Sequence, residues 1–206
     1  MLHLETVEPG TFSLLKKIAA LPALSNFRLC GGTSLSLQIG HRISVDLDFF
    51  CQSEIDLDQL LDDLNLDFQI DVNYRNPKVL SCMVEKVKVD FVKYHYPWIG
   101  NPIESEGVIL CSLYDIAAMK LEAIKGRGRK RDFVDLYYLL KNFSLQEMLE
   151  FNLKKYRNND QTLILKSLTY FIDAEEDTDP NTFEKLNWEK VKKQIITEVK
   201  SIIKNL

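Results

Sequence analysis

Two carboxylates placed two residues apart, Asp46 and Asp48, have the most specific chemistry in this sequence. They lie in SVDLDFF, where polar and apolar residues alternate with the period of a β-strand, so both side chains project from one face. Neighbouring carboxylates repel each other, and a bound cation relieves that repulsion. Mg²⁺ is commonly held by one or two carboxylates together with substrate phosphates. The spacing therefore predicts a site for Mg²⁺ or Mn²⁺.

A third carboxylate, Asp90, stands alone among apolar residues in VKVDFV, a segment that also has strand character. On a neighbouring strand it would complete the metal site. An isolated Asp-x-Asp on a strand edge is more often only solvated. The metal-site hypothesis therefore depends on Asp46, Asp48 and Asp90 together.

A glycine turn precedes the carboxylate strand. Gly31 and Gly32 lead into the predicted short helix TSLSLQIG, whose first turn contains Gly32, Thr33 and Ser34. Glycines let the backbone approach a phosphate closely, and a helix N-terminus offers free N–H groups. A hydroxyl from Thr33 or Ser34 adds a further donor. A Gly-Gly pair alone is more often a simple turn, but ahead of two carboxylates it indicates a phosphate site.

Three further candidate side chains have two interpretations each, and neighbours of two of them have one each. Arg42, in the loop before the carboxylate strand, is either a solvated charge or a phosphate ligand, and its neighbour His41 is predicted to be a surface or capping residue. Lys120, on the apolar helix face AAMKLEAI, either extends to solvent or neutralises a bound anion. Asp132 is a candidate for the site or a partner of a nearby base, whereas Asp135 is interpreted as structural.

The connector KGRGRKR is the one dense basic run in the sequence. Such a run is usually a solvated loop, and the alternative is that it binds a triphosphate or an RNA backbone. The net charge of −4 excludes a polycation that coats nucleic acid, so nucleic-acid contact requires a local basic patch. Tyr94, Tyr96 and Trp98 either stack on a base or, the more common case, pack against the sheet.

The periodicity predicts an α+β protein of 206 residues. Residues 1–110 form a mixed α/β part, with the runs FQIDVNY, VLSCMVE and VKVDFVKY as an antiparallel meander. The stretch YHYPWIGNPIESEG is expected to be irregular. Residues 111–206 are predicted to be a helical bundle, with a capping box at Ser144 and Glu147, a helix at about 162–172 and a last amphipathic helix at 188–205.

The sequence also predicts the cellular compartment of the protein. None of the four cysteines forms a C-x-x-C pair and each lies in or beside an apolar run, which indicates reduced, mostly buried thiols. The first residues lack the pattern of a signal peptide, and no apolar run approaches the ~20 residues that cross a bilayer. We therefore expect a cytoplasmic protein with no membrane association.

The string LCGGTSLSLQIGHRISVDLDFF resembles the signature of the polymerase-β-like nucleotidyltransferase superfamily. In detail it is similar to the AbiEii/AbiGii branch, the nucleotidyltransferase toxins of abortive-infection systems. The later segment LYDIAAMKLEAIKGRGRKRDFVDLYYLL is similar to the third and fourth motifs of that branch. The resemblance covers about residues 25–140, and it implies a nucleotidyltransferase-fold mixed sheet with flanking helices, followed by a helical bundle.

The resemblance also implies a mechanism. Asp46 and Asp48 would bind Mg²⁺ on a nucleoside triphosphate, and Asp90 would complete the metal site or act as base on the acceptor hydroxyl. Lys120 matches the motif lysine and would neutralise triphosphate charge. Asp132 matches the late motif acid and would orient Lys120 or the acceptor. The helical part would thus contribute Lys120 and Asp132 to the site.

The implied function is Mg²⁺-dependent transfer of a nucleotidyl group from a nucleoside triphosphate to a macromolecule, with tRNA as the acceptor by family analogy. The protein would be the toxin of a type IV toxin–antitoxin or phage-defence pair, with a cognate antitoxin as partner. Two alternatives stay open, because fold alone does not fix function. One is an enzyme that adds AMP to a protein. The other is a catalytically idle module that keeps the fold to bind a partner.

Overall fold

The computed structural model describes residues 1–157 and 159–204. The chain forms two compact units. The first comprises Met1–Pro97 and Asn101–Ser112, and the second comprises Trp98–Gly100 and the described residues from Leu113 onward. No helix within the described ranges is long and apolar enough to cross a membrane.

The first unit is built on one seven-stranded mixed sheet, which confirms the predicted α+β class. The strands are β1 (Arg28–Cys30), β2 (Leu47–Cys51), β3 (Ile70–Asn76), β4 (Val79–Val84), β5 (Val87–Lys93), β6 (Ile103–Ser105) and β7 (Val108–Leu110). Their order is β3-β4-β5-β2-β1-β7-β6. The predicted antiparallel meander is confirmed as β3-β4-β5. Strand β2 lies between β5, which is parallel to it, and β1, which is antiparallel.

Three α-helices accompany this sheet, namely α1 (Pro9–Ala19), α2 (Gly31–Ile39) and α3 (Leu57–Asp67). Burial along β2 alternates, so Leu47, Phe49 and Cys51 enter the core while Asp48 and Phe50 are half-buried on the other face. Phe49 stacks on Phe91 of β5 with ring centroids 5.6 Å apart. The alternation therefore fixes the register of the carboxylate strand, because a one-residue slip would bury Asp48 in the core.

The second unit is helical. Its helices are α4 (Leu113–Gly126), α5 (Lys130–Leu139), α6 (Leu145–Lys155), α7 (Gln161–Ser167), α8 (Ile172–Glu175) and α9 (Trp188–Lys204). The predicted capping box is present, since Ser144 and Glu147 exchange both side-chain-to-backbone hydrogen bonds at the start of α6. Residue 205, the predicted end of the last helix, lies outside the described residues.

A buried ion pair explains why the short segment Trp98–Gly100 belongs to the second unit. The Lys155 ammonium lies 2.7 Å from Oδ1 of Asp115, and both side chains have no solvent exposure. The amides of Ile99 and Gly100 donate to the same carboxylate at 3.0 and 3.1 Å. Lys155 also lies 4.6 Å from the centre of the Trp98 ring. These bonds satisfy the buried carboxylate and tie the segment to α4 and α6.

Two predicted elements are wrong. The stretch expected to be irregular contains β6, which pairs with β7 through a turn where Glu106 and Gly107 have φ of 55° and 77°. The helix predicted at 162–172 ends at Ser167, and α8 follows separately. The amides of Thr169 and Tyr170 bond to carbonyls three residues back, which tightens the turn and ends the helix.

Candidate active site

The glycine turn lies directly beside the carboxylate strand. Cys30, the last residue of β1, is paired with Asp48 of β2, so Gly31 follows at the level of that carboxylate. Gly31 has φ of 66°, and a Cβ at this position would collide with Oδ2 of Asp48 and lie 2.9 Å from its Cγ. The position requires glycine both for its left-handed backbone and for the approach of the carboxylate.

Gly32 makes the corresponding close approach to Arg42. A Cβ on Gly32 would collide with the Arg42 guanidinium and lie 3.2 Å from Oγ of Ser44. Arg42 is only 5 % exposed, and its Nη1 donates to the Ile43 carbonyl at 2.9 Å. The solvated-loop interpretation of Arg42 is therefore wrong. Its neighbour His41 is buried as well, at 3 % exposure, and is not a surface residue.

The hydroxyls of Thr33 and Ser34 are buried and bonded within the protein. Thr33 Oγ1 donates to the carbonyl of Asp46 and lies 2.9 Å from Oγ of Ser44. Ser34 Oγ accepts from Gln38 Nε2 at 3.1 Å. In this conformation the Thr33 hydroxyl fixes the backbone that enters β2. Phosphate contact by either hydroxyl stays a prediction.

The three predicted metal ligands lie on, or one residue before, two neighbouring strands. Asp46 is half-buried one residue before β2, and Asp48 is half-buried within it. Asp90 of β5 is the direct register partner of Asp48 in the parallel β2-β5 pair. The structure thus places the third acid on the neighbouring strand, beside Asp48.

Asp90 already has two partners on the sheet. Its Oδ1 accepts from Ser81 Oγ at 2.5 Å, and its Oδ2 lies 2.6 Å from the Lys88 ammonium. Across the described ranges, no group of three or more His, Cys, Asp or Glu residues is arranged to hold a metal ion. Two carboxylates and substrate phosphates are nevertheless a sufficient ligand set for Mg²⁺. That Asp46, Asp48 and Asp90 bind a metal stays a prediction.

In the second unit, Lys120 is held between two aspartates of α5. Its ammonium lies 3.0 Å from Oδ1 of Asp132 and 2.6 Å from Oδ2 of Asp135, and neither aspartate is exposed. Lys120 itself is 6 % exposed, so it does not extend to solvent. Asp135, interpreted from the sequence as only structural, lies closer to the Lys120 ammonium than Asp132 does.

Arg127, whose side chain is half exposed, completes an ion cluster, which we define as Lys120, Arg127, Asp132 and Asp135. The Arg127 guanidinium is bidentate on Asp132, with Nε to Oδ2 at 3.1 Å and Nη2 to Oδ1 at 3.3 Å. Burial raises the pKa of Asp132, but the charges of Lys120 and Arg127 outweigh it and hold that pKa below its ordinary value. Asp132 therefore stays ionised. That Lys120 and Asp132 serve the same site as Asp46 and Asp48 stays a prediction.

Sequence reasoning did not identify Ser81 and Lys88 as partners of Asp90. Lys88 lies two residues before Asp90 on the same strand face, a spacing visible in the sequence, whereas Ser81 could be found only from the β4-β5 register.

The aromatic residues that were candidates for base stacking differ in their environments. Tyr94 packs on Phe50 with ring centroids 5.1 Å apart, as expected, but Tyr96 is 47 % exposed.

A mixed sheet in which a Gly-Gly helix start meets an Asp-x-Asp strand defines a nucleotidyltransferase-type fold. Two Helicobacter pylori crystal structures share it, one of a protein assigned provisionally as a nucleotidyltransferase and one of JHP933. Each has a TM-score of 0.59 over 97 % of this chain, covering 97 % and 94 % of theirs. Their identities of 20 % and 19 % establish the fold alone.

Residues 13–202 match the family described as nucleotidyl transferase AbiEii toxin, type IV TA system. The chain belongs to this family, which confirms the resemblance, and the protein is a nucleotidyltransferase. An uncharacterized protein of Aquifex aeolicus (strain VF5) is 35 % identical over 199 residues, which span 93 % of this chain and 95 % of the relative.

Proposed function

We propose that this protein transfers a nucleotidyl group from a nucleoside triphosphate to an RNA acceptor, with tRNA as the first candidate, in a reaction that requires Mg²⁺ or Mn²⁺. The observation that carries the proposal is the contact of Asp48 with Gly31, with Asp90 as its register partner. This arrangement places carboxylates beside a helix N-terminus that can receive phosphate. In the family context, the protein acts as the toxin of a type IV pair and has a cognate antitoxin.

Asp46 and Asp48 would hold the divalent metal, which when bound stabilises charge on the attacking and leaving oxygens. The triphosphate would be received by the backbone N–H groups at the first turn of α2, where Gly31 and Gly32 lie. Asp90, once separated from Lys88, accepts the proton of the acceptor hydroxyl or adds a metal ligand. The acceptor oxygen then bonds to the α-phosphorus as the bond to the β-phosphate oxygen breaks. Pyrophosphate leaves with the electron pair.

Arg42 and Lys120 supply positive charge in this proposal. The Arg42 guanidinium is held against the glycine turn, where it favours bound phosphate. The family resemblance predicts that Lys120 neutralises triphosphate charge, and its ammonium is held by Asp132 at 3.0 Å and by Asp135 at 2.6 Å. In-line transfer needs such positioning and charge compensation more than covalent participation by the protein.

The direct test incubates the protein with each α-labelled nucleoside triphosphate, Mg²⁺ and either total RNA or lysate protein. We expect label on RNA, and Asp48→Asn should reduce its rate by about a hundredfold or more. Asp71→Asn is the matched control, because Asp71 is exposed on the edge strand β3. Label on protein instead would support the AMP-adding alternative.

Calorimetric titration separates an enzyme from an idle module. Wild type should bind a nucleoside triphosphate in the presence of Mg²⁺, and Asp48→Ala should bind it weakly. If wild type binds no triphosphate, or if the variant binds equally well with metal, the metal-site proposal is wrong.

The toxin role has its own experiment. Induced expression should arrest host growth, and Asp46→Asn at the same protein level should not. A host that grows normally with the wild-type protein would contradict the toxin role and leave the chemistry intact.

A further inference from the structure

A cavity of about 380 Å³ lies within the second unit, beside the connector between α4 and α5. One side is formed by the connector, including Lys125 and Arg127, and the other by the end of α7 and the start of α8, including Lys166, Tyr170 and Asp173. The volume falls within the range of small-ligand sites. None of these five residues belongs to the predicted metal site.

The connector wall is a fixed turn. The amides of Arg127 and Gly128 both donate to the carbonyl of Ala123, at 2.9 and 3.2 Å. Gly128 has φ of 52°, and a Cβ there would lie 3.3 Å from the carbonyl oxygen of Ile124. The basic run of the sequence is therefore held in one shape, which lowers the entropy cost of binding a ligand.

The charge of the lining selects an anion. Three cations and one carboxylate line the cavity, although the net charge of the protein is −4. Lys125 is partly neutralised by Glu122 at 2.7 Å, and Arg127 is bonded to Asp132 while its side chain stays 51 % exposed. Lys166 is exposed and has no ion pair in the part of the chain that the structure describes. The excess positive charge is therefore greatest at Lys166.

Tyr170 indicates which class of anion the cavity binds. Tyr170 is 51 % exposed and lines the cavity beside Lys166. Its amide bonds to the Ser167 carbonyl at 3.1 Å, which fixes the backbone that carries the ring. An inorganic anion or an acidic peptide requires only the cations, whereas an unpaired base stacks on an exposed ring while its phosphates meet the cations. A duplex keeps its bases stacked inside and cannot present one to the ring.

We propose that this connector cavity binds a single-stranded stretch of RNA, with phosphates at Lys166 and Arg127 and one base stacked on Tyr170. The inference rests on the proposed transfer to RNA, for which it supplies an acceptor-binding site. The acceptor is then single-stranded RNA where it is bound, and the second unit is the part of the protein that binds it.

Fluorescence anisotropy with a labelled single-stranded RNA of about twelve nucleotides tests the cavity. No nucleoside triphosphate is added, so that no transfer changes the probe. We expect Tyr170→Ala to weaken binding about tenfold and Tyr170→Phe to keep wild-type affinity, because stacking needs the ring and not the hydroxyl. Equal affinity of wild type and Tyr170→Ala would overturn the proposal.

The charge contribution is tested with Lys166→Glu against Lys200→Glu, an equal change of net charge on the exposed face of α9. Only the first should weaken binding strongly. Lys166→Ala should reduce the salt slope of log Kobs by about 0.7, the loss of one phosphate contact to a single strand. Equal effects of the two Glu variants, or equal competition by duplex RNA or polyglutamate, would contradict the assignment.

Triphosphate binding by the same variants, measured separately, distinguishes the two proposals. Cavity variants that lose RNA and keep Mg²⁺-dependent triphosphate binding support both. If the wild type binds no triphosphate, the proposed function is wrong. The anisotropy assay would still report whether RNA binds at Tyr170.

Discussion

The carboxylate of Asp48 lies against the α-carbon of Gly31 so closely that no side chain fits between them. The register of β1 and β2 produces this contact, because Cys30 is paired with Asp48. The glycine turn and the carboxylate strand are therefore in direct contact, and a change at Gly31 displaces the Asp48 carboxylate.

Gly31→Ala should therefore damage both fold and site. A side chain at φ of 66° is strained and also collides with Asp48, so we expect a loss of about 1–3 kcal/mol in the free energy of unfolding. Urea unfolding measures it. Gly10→Ala is the control, since nothing lies within 4 Å of its Cβ position. Equal stability of Gly31→Ala and wild type would show that the contact is not tight.

Lys120→Met should be among the most destabilising single changes in the second unit. It leaves Asp132 and Asp135 buried without their shared ammonium, and breaking a buried pair in this way costs about 3–5 kcal/mol. The double variant Lys120→Met/Asp135→Asn should be more stable than Lys120→Met alone, because one uncompensated charge is removed. Strictly additive losses in denaturant unfolding would mean that the two residues do not interact.

The depressed pKa of Asp132 predicts a specific pH dependence. Its folded-state pKa is below the ordinary 3.8, so its contribution to stability is present above that value and is lost as pH falls through the folded-state pKa. The stability difference between wild type and Asp132→Asn should therefore shrink as pH falls below about 4. Urea unfolding as a function of pH measures this, and a difference that grows in acid would contradict the assignment.

The cysteines should be inert in the native state. All four are buried, and burial together with the charge of Asp90 raises the pKa of Cys82 to about 12. Because the thiolate is the reactive form, a thiol reagent at mildly alkaline pH should modify the protein only after denaturant is added. Rapid modification of the native protein would show that the sheet around β4 opens readily.

Much of the first unit followed from the sequence, because alternation in SVDLDFF and VKVDFV sets strand faces and Gly-Gly sets the helix start. The ion-pair partners of Lys120 could be predicted only in part from the sequence. Asp132 and Asp135 lie on the same helix, and only the packing of α5 on α4 shows that both reach the ammonium. The anchor of Lys155 on Asp115 joins residues 40 positions apart, which no local pattern encodes.

The measurement that tests the central claim most directly is Mn²⁺ binding, followed by electron paramagnetic resonance, with and without a nucleoside triphosphate. With two carboxylates as protein ligands, wild type should bind Mn²⁺ weakly alone and at least about tenfold more tightly with triphosphate, because phosphates complete the coordination. Asp48→Asn should lose the triphosphate-dependent binding, and Asp71→Asn should keep it. If Asp48→Asn binds Mn²⁺ and triphosphate as tightly as wild type, the carboxylate strand is not the metal site.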